Sequence, residues 1–270
     1  MENSISLRAL HKLWAGKAAG LALAALVLFV SCGATDSRAA GAAPAPERRP
    51  SILISNDDGI DAPGIIALVR EISKFASVTV AAPSQGASGA SHSKTSGEPV
   101  FIAEAVKDGV RWYGIRATPA TCVRLALESL LEKKPDYVLS GINRGENLGV
   151  ITFYSATLGS AREAAFSGIT SIALNQETGP NMDYSAAAEF AAALVRSLEK
   201  NPPERGLFLN VNVPNLAKDK LSGVMAVPVD LQSPYERFEK RTTPDGRTYF
   251  WNTYRPLVAG KAPEHPDLER

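Results

Sequence analysis

Two adjacent aspartates, Asp57 and Asp58, directly follow a short apolar run, Ile52 to Ile54. The run is typical of a buried strand, and Gly59 after the aspartates indicates a turn. Two carboxylates side by side at the end of a strand repel each other unless a cation or a proton lies between them. A hard divalent cation is the natural occupant, so we predict a metal site here. The alternative is a plain polar turn, because Asp-Gly is also a common hairpin sequence.

Two more apolar runs end in polar loops that contain glycine. Val78 to Ala82 leads into a loop of small hydroxyl residues that includes Ser88, and Tyr137 to Ser140 leads into a loop that carries Asn143. In a parallel sheet, the loops at the carboxyl ends of the strands share one edge, where ligands bind. With the two aspartates they offer only oxygen ligands, which favour Mg²⁺, Mn²⁺ or Ca²⁺ over zinc or copper. A flexible surface loop is the alternative for the serine-rich segment.

A helix is predicted from Tyr154 to about Ser167, and Ser155 or Thr157 could cap its start. The N-terminus of a helix is a natural anion site, although simple capping would explain these hydroxyls equally well. A hard cation beside such a helix suits phosphoester hydrolysis, because the metal neutralises phosphoryl charge and lowers the pKa of a bound water. Either a metal-bound water or one of the aspartates would attack, and the sequence leaves both routes open.

Other hydrolase and nucleotide-binding classes lack support in the sequence. The chain has three histidines, and only His92 is near the predicted site. His92 could donate a proton to a leaving group, or it could be a loop residue without a role. Neither a Gly-x-Ser-x-Gly elbow nor a Walker motif is present, and no Gly-x-Gly-x-x-Gly follows the first strand. A serine hydrolase, a P-loop NTPase and a typical dinucleotide-binding protein are therefore disfavoured.

The order of strand and helix patterns predicts the fold class. From about Ser51 they alternate, which indicates an α/β protein with a doubly wound, mostly parallel, Rossmann-like sheet. Glu98 to Val106 and Val110 to Arg116 predict a hairpin within it. Phe238 to Thr243 and Thr248 to Trp251 predict a C-terminal β-hairpin extension that protrudes or packs on another subunit. The formal net charge of +1 over 270 residues gives no sign of a polyanion-binding surface.

Residues 1–40 are predicted to be a signal peptide or a lipoprotein leader. Basic residues precede an apolar run, Leu21 to Val30, that is shorter than the roughly 20 residues of a membrane span. The sequence around Cys32 resembles a bacterial lipobox, in which this cysteine would be lipidated; cleavage near Ala39 and a retained anchor helix are the alternatives. Each of them predicts an exported protein, periplasmic or membrane-anchored. Residues 41–50 read as an extended Pro/Ala linker.

Five segments carry more specific motifs, in the same order along the chain. They are Ile54–Ile65, Ala82–Ser91, Ser140–Gly149, Tyr154–Thr157 and Leu209–Pro214. From about residue 51 to residue 214 the chain resembles the survival protein SurE family of 5′-nucleotidases. The resemblance is specific because the Asn-Asp-Asp-Gly and Ser-Gly-Ile-Asn motifs occur together.

The resemblance implies a metal-dependent phosphatase that acts on nucleoside monophosphates, with Mg²⁺ or Mn²⁺ as cofactor. Family activity can extend to 3′-nucleotides and short polyphosphate, and family members are homodimers or homotetramers whose hairpin reaches a neighbouring subunit. By motif, the metal ligands would be Asp57, Asp58, Ser88 and Asn143, the two aspartates being also the catalytic residues. The residues around the phosphate would be Asn147, Ser155, Thr157 and Ser91. A non-catalytic nucleotide or phosphate binder and a metal-dependent hydrolase of a non-phosphate ester are the competing predictions.

The same resemblance sets the expected domain limits. Residues 51–225 would form the catalytic domain, and residues 226–270 the hairpin extension and tail, without the last strand segment that the family normally has. Thr121 stands where the family usually has an acidic residue, which affects no proposed ligand. Cys122, in an apolar helical pattern, is expected to be a buried small hydrophobe.

Overall fold

The computed structural model describes residues 48–230 and 235–255, without the side chains of 235–237 and 253–255. The chain divides into two compact units. The described part of the larger unit comprises residues 50–221, 227–230 and 235–255, and that of the smaller unit comprises residues 48–49 and 222–226. The predicted leader, including Cys32, lies outside the described residues.

A seven-stranded sheet in the order β3-β4-β2-β1-β5-β6-β7 forms the centre of the larger unit. Its strands are β1 (Ser51–Ser55), β2 (Ser77–Pro83), β3 (Ile102–Lys107), β4 (Val110–Ile115), β5 (Tyr137–Arg144), β6 (Thr170–Gln176) and β7 (Phe208–Val213). All neighbours are parallel except β3 and β4, which are antiparallel. The predicted doubly wound, mostly parallel sheet is confirmed. Because β1 lies between β2 and β5, the strand order reverses at β1, and ligands bind at such a switch point.

Burial explains why the strand patterns differ along the sheet. Leu53 and Ile54 in β1 are fully buried, since helices cover both faces of a parallel sheet, and the strand is accordingly a continuous apolar run. The edge strand β3 is exposed at every position. It forms the predicted hairpin with β4, in which Asp108 and Gly109 turn with positive φ.

In the described part of the chain, five α-helices connect the strands. They are α1 (Pro63–Ile72), α2 (Pro119–Leu125), α3 (Ile151–Tyr154), α4 (Ala156–Phe166) and α5 (Ser185–Lys200), with a π-helical turn at Ala126–Leu130 after α2 and a 3₁₀ turn at Lys218–Lys220. Pro63 and Pro119 occupy the first turns of α1 and α2, where their missing N–H is harmless. Thr118 precedes α2, but its side chain makes no capping bond and donates instead to Ser93 O at 2.8 Å.

The helix predicted from Tyr154 to about Ser167 is present as α4 (Ala156–Phe166), and a separate short helix, α3, precedes it. The short α3 ends at Tyr154, and Ser155 is extended, with φ −71° and ψ 125°. The Ser155 hydroxyl accepts a hydrogen bond from Leu158 N at 3.2 Å and starts a second helix, α4. The predicted capping by Ser155 is therefore confirmed, and its extended backbone separates α3 from α4.

Strand β5 is longer than the sequence pattern predicts, and its register shifts between Ser140 and Asn143. This irregularity brings the chain close to helix α1. A Cβ atom on Gly64 would lie 2.0 Å from Ile142 O, so only glycine fits at the start of α1. Cys122 is fully buried as expected, and burial raises the pKa of its thiol to about 12.

The C-terminal hairpin is confirmed and longer than predicted. Its strands, β8 (Tyr235–Thr242) and β9 (Thr248–Arg255), pair with each other in a separate two-stranded sheet. Phe238, Phe250 and Trp251 are exposed on it. Among the described residues, no helix has the length and apolar character needed to cross a membrane.

Candidate metal and phosphate site

The turn that carries Asp57 and Asp58 is fastened to the loops that follow β2 and β5. Ala87 N donates to Asp57 O at 2.7 Å, which brings the neighbouring Ser88 to the turn. Arg144 N donates to the Asp58 carboxylate (Oδ2) at 3.2 Å, which ties the end of β5 to the same turn. The three loops that the sequence placed at one sheet edge are thus joined by hydrogen bonds across the β1 switch point.

The side chains of Ser88 and Asn143 leave oxygen atoms available. The Asn143 amide nitrogen donates to Gly145 O at 2.8 Å, so its amide oxygen is free of that bond. Ser88 is exposed, and its hydroxyl has no hydrogen-bond partner among the described residues. Hard oxygen atoms of this kind suit Mg²⁺ or Mn²⁺.

Asp57 is a buried carboxylate, 3% exposed. The Thr157 hydroxyl donates to its Oδ1 at 2.5 Å, which brings the start of α4 to the aspartate turn. The pKa of Asp57 is raised from 3.8 to about 6, chiefly by burial; the Thr157 hydrogen bond opposes the rise and the charge of Asp58 adds to it. Burial and the neighbouring charge disfavour the ionised form of Asp57, and a nearby cation would stabilise that form. This environment fits the predicted metal site.

Asp58 is less deeply buried than Asp57, and its pKa is also raised by burial. The N–H and the guanidinium of Arg144 oppose that rise. Burial, together with the charge of Asp58, raises the pKa of the buried Tyr184 as well. Arg144 and Tyr184 therefore belong to the surroundings of Asp58, and sequence reasoning missed both because neither has a local signal beyond its residue type.

The donor set is consistent with a metal bound by two carboxylates and two neutral oxygens. Within residues 48–230 and 235–255, no group of three or more His, Cys, Asp or Glu side chains could hold a metal ion. The proposed set contains only two such residues, Asp57 and Asp58, with Ser88 and Asn143 supplying a hydroxyl and an amide. Such a set, without nitrogen or sulfur donors, is poorly suited to zinc.

The start of α4 supplies the phosphate side of the site. Ser155 caps the helix and Thr157 contacts Asp57, so the helix N-terminus lies against the buried carboxylate. The first N–H groups of a helix have no acceptor within the helix and attract anions. Capping and anion binding are thus compatible here.

Asn147 lies in a cluster of four asparagines that also contains Asn175, Asn210 and Asn212. Its side chain donates to Asn175 Oδ1 at 2.6 Å, and its N–H donates to Asn212 Oδ1 at 2.8 Å. Asn210 and Asn212 in turn donate to Asn147 O. The Asn147 amide nitrogen is therefore engaged in holding its loop on β6 and β7, and contact of this side chain with phosphate stays a prediction.

Ser91 fastens the Ser88 loop to the segment before α4. Its hydroxyl donates to Phe153 O at 2.6 Å, and its N–H donates to Tyr154 O at 3.1 Å. A Cβ atom on Gly159 would lie 2.3 Å from Ser91 O, so the loop packs directly on the helix at this glycine. The structure gives Ser91 a positioning contact, and its predicted contact with phosphate stays a prediction.

His92 pairs with a buried carboxylate on α4 that the sequence did not single out. Its Nε2 lies 2.8 Å from Glu163 Oε2, and its ring stacks on Phe166. The Nε atom of Arg124 lies 2.7 Å from Glu163 Oε1 without hydrogen-bond geometry, so the contact is an ion pair. Glu163 thereby joins α2, α4 and the Ser88 loop. This pairing favours a positioning role for His92 over proton donation.

Comparison with known proteins decides the family. The family model described as survival protein SurE matches residues 52–234, more than half of the chain. The chain belongs to the SurE family. The matched range contains all of β1 except its first residue, β2 to β7 and every predicted site residue, so the resemblance inferred from the motifs is confirmed.

Relatives of this SurE-family chain match most of its length. A 5′-nucleotidase SurE from Natranaerobius thermophilus is 40% identical over 222 residues, which cover 79% of this chain and 83% of the relative. A 5′-nucleotidase SurE from Rhodopirellula baltica is 39% identical over 202 residues, covering 74% and 80%. The crystal structure of the SurE protein from Aquifex aeolicus has a TM-score of 0.68 at 35% identity, covering 76% and 82%.

Proposed function

We propose that this protein is a divalent-metal-dependent 5′-nucleotidase, a phosphomonoesterase that hydrolyses nucleoside monophosphates. The observation that carries the proposal is the hydrogen bond from Thr157 to the buried Asp57 carboxylate. It holds the anion-attracting start of α4 against the carboxylate pair, where phosphate and a hard cation would meet. The 5′-nucleotidase names of the relatives support the same activity.

Asp57, Asp58, Ser88 and Asn143 would hold Mg²⁺ or Mn²⁺. When bound, the cation supplies neutralisation of phosphoryl charge and a lowered pKa of the attacking water. The fit rests on the donors themselves, which are hard oxygens, two of them on carboxylates whose pKa values burial raises. A cation offsets the repulsion between those two charges.

The protein's own groups orient the substrate and the attacking water. The N–H groups at the start of α4 and the hydroxyl of Ser155 bind the phosphoryl oxygens, which places the phosphorus beside the aspartate turn. The Thr157 hydroxyl donates its proton to Asp57 and thereby positions the helix. The Asp58 carboxylate, the less buried of the pair, accepts a hydrogen bond from the attacking water and takes its proton. Arg144, whose N–H binds Asp58, keeps that carboxylate in place.

A single phosphatase panel tests the proposal. Purified protein is assayed for phosphate release from AMP, 3′-AMP and tripolyphosphate, in EDTA and after addition of Mg²⁺ or Mn²⁺, beside an acyl ester. We expect metal-dependent release from AMP that Asp57→Asn and Asp58→Asn abolish. Undiminished release in both variants would contradict the proposal. Calorimetric binding of AMP without turnover would indicate a non-catalytic binder, and faster acyl ester cleavage a different hydrolase.

We propose further that the protein is a homodimer or a homotetramer in which the β8–β9 hairpin packs on another copy. Exposed aromatic side chains on the hairpin support this, because soluble monomers seldom leave such apolar surface uncovered. Sedimentation of the full chain tests it, with Trp251→Ser and Phe250→Ser combined in one variant. A wild-type monomer, or a variant with unchanged mass, would contradict it.

We propose an exported location, periplasmic or membrane-anchored through a lipid on Cys32. The support is the leader pattern in the sequence alone, because Cys32 lies outside the described residues. Cell fractionation and mass spectrometry of the mature N-terminus test it. A lipid on Cys32 would place wild-type protein in the membrane fraction and release Cys32→Ala from it, whereas cleavage without lipid would place both in the periplasm. An unprocessed wild-type protein in the cytoplasm would refute export.

A further inference from the structure

A cavity of about 380 Å³ opens at the sheet edge beside the aspartate turn. Residues from the end of β2, from the end of β4 and from the segment before β3 line it. Those two strand ends are neighbours in the sheet, and β1 is the next strand along. With strands roughly 5 Å apart, the cavity is about 10 Å from the β1 end. Its volume is in the range of small-molecule pockets.

One wall of the cavity is continuous with the candidate metal site. Gly86 and Ala87 line it, and they pack directly on the aspartate turn. A Cβ atom on Gly86 would lie 3.4 Å from Asp58 O, and Ala87 N donates to Asp57 O at 2.7 Å. Ser88 is the next residue in this wall segment. A substrate whose phosphate lies at the aspartates can therefore extend into the cavity across the Ser88 loop.

The cavity carries the side chains that recognise a nucleoside. Phe101 is 64% exposed at its rim, and its carbonyl accepts from Arg116 N at 2.9 Å, which fixes the backbone beneath the ring. An exposed aromatic face binds a base by stacking. Among the described residues, the side chains of Glu98 and Arg116 make no hydrogen bond or ion pair to the protein. A carboxylate accepts from exocyclic amino groups and ribose hydroxyls, and a guanidinium donates to ring acceptors or stacks.

The charges of the residues that line the cavity favour an uncharged portion of a ligand. Glu98 and Arg116 are the only charged residues in the lining, and their charges cancel. A second phosphate would require an excess of positive charge at this place. A base and a ribose require hydrogen-bonding groups and an aromatic face without net charge, which the lining provides.

Resting on the proposed nucleotidase function, we infer that this cavity binds the nucleoside part of the substrate, with the base against Phe101 and Glu98 and Arg116 at its polar groups. The base then contributes to substrate binding, while the reaction of the phosphate at the aspartates does not depend on the base. Phe101 determines the preference for nucleotides over phosphate esters without a base.

The test compares AMP with ribose 5-phosphate, which lacks the base. Phe101→Ala should lower kcat/KM for AMP about tenfold and leave ribose 5-phosphate within about twofold. The matched control is Val106→Ala, an exposed apolar residue on β3 outside the cavity, which should change neither. Glu98→Gln should lower kcat/KM for AMP alone as well. Equal effects of Phe101→Ala on both substrates, or none, would overturn the inference.

A binding measurement separates this inference from the proposed function. Adenosine, which has no phosphate, is titrated by NMR into wild type and Phe101→Ala in EDTA. We expect about tenfold weaker binding to the variant. Adenosine that binds both proteins equally, or neither, overturns the inference. If wild type releases no phosphate from AMP but binds adenosine through Phe101, the nucleotidase proposal fails and the nucleoside site stands.

Discussion

Replacing Asp57 by asparagine removes a charge from a buried position with almost no change in side-chain size. The Asp57 carboxylate is 3% exposed, and burial raises its pKa from 3.8 to about 6. An asparagine oxygen can still accept the hydrogen bond from Thr157. We therefore expect Asp57→Asn to abolish phosphate release and, at the same time, to stabilise the metal-free protein at neutral pH.

The magnitude and the sign follow from the pKa shift. The rise in the pKa of Asp57 from 3.8 to about 6 corresponds to about 3 kcal/mol of free energy of unfolding. Because the pKa is raised on folding, the folded state holds the Asp57 proton more tightly than the unfolded state does. The stability contribution of Asp57 therefore falls as pH rises from about 3.8 to about 6 and stays low above that. At pH 7.5 the free energy of unfolding of the variant should exceed that of wild type by up to about 3 kcal/mol, and at pH 5 by about half as much.

Urea unfolding in EDTA at both pH values measures this difference. The control is Asp61→Asn, an exposed residue paired with Lys107, which should change stability by less than about 0.5 kcal/mol. Added Mn²⁺ should stabilise wild type in proportion to the logarithm of its concentration and leave Asp57→Asn unchanged. A metal-free variant that is less stable than wild type at pH 7.5 would refute the reasoning.

Two further predictions concern how the Ser88 loop is held on α4. Gly159→Ala should place a Cβ atom against Ser91 O and so displace the Ser88 loop, although alanine favours the helix. We expect Mn²⁺ affinity, measured by calorimetry, to fall by about tenfold. Unchanged affinity would show that the close contact does not matter. Glu163→Ala should lower the free energy of unfolding by about 2 kcal/mol, because it removes a buried partner of His92 and Arg124. The control Glu128→Ala removes an exposed partner of Arg124 and should lower it by less than about 0.5 kcal/mol. Equal losses would argue against the buried pairing.

The sequence could predict the fold because its signals are local. The run Ile52 to Ile54 is apolar at every position, as a strand buried on both faces must be, and a polar loop with glycine follows it. Strands β2 and β5 are less uniformly apolar, but each also leads into a polar loop with glycine. Alternation of strands with helices then requires parallel connections, and parallel strands place their end loops on one edge. Asp57, Asp58, Ser88 and Asn143 could be proposed for that reason.

The contacts that complete the site could not be predicted in this way. Thr157 and Asp57 are separated by 100 positions, and His92 and Glu163 by 71. Nothing in the local sequence around Glu163 distinguishes it from an exposed helical glutamate.

By itself, then, the sequence determined which residue types stand at the strand ends, and hence an oxygen-rich site, an α/β sheet and the family. Only the tertiary structure decided how deeply each aspartate is buried, which hydroxyl contacts it and which glutamate holds the Ser88 loop. The physical reason is that strand and turn preferences act between near neighbours, whereas burial and hydrogen-bond partners depend on residues brought together from distant parts of the chain.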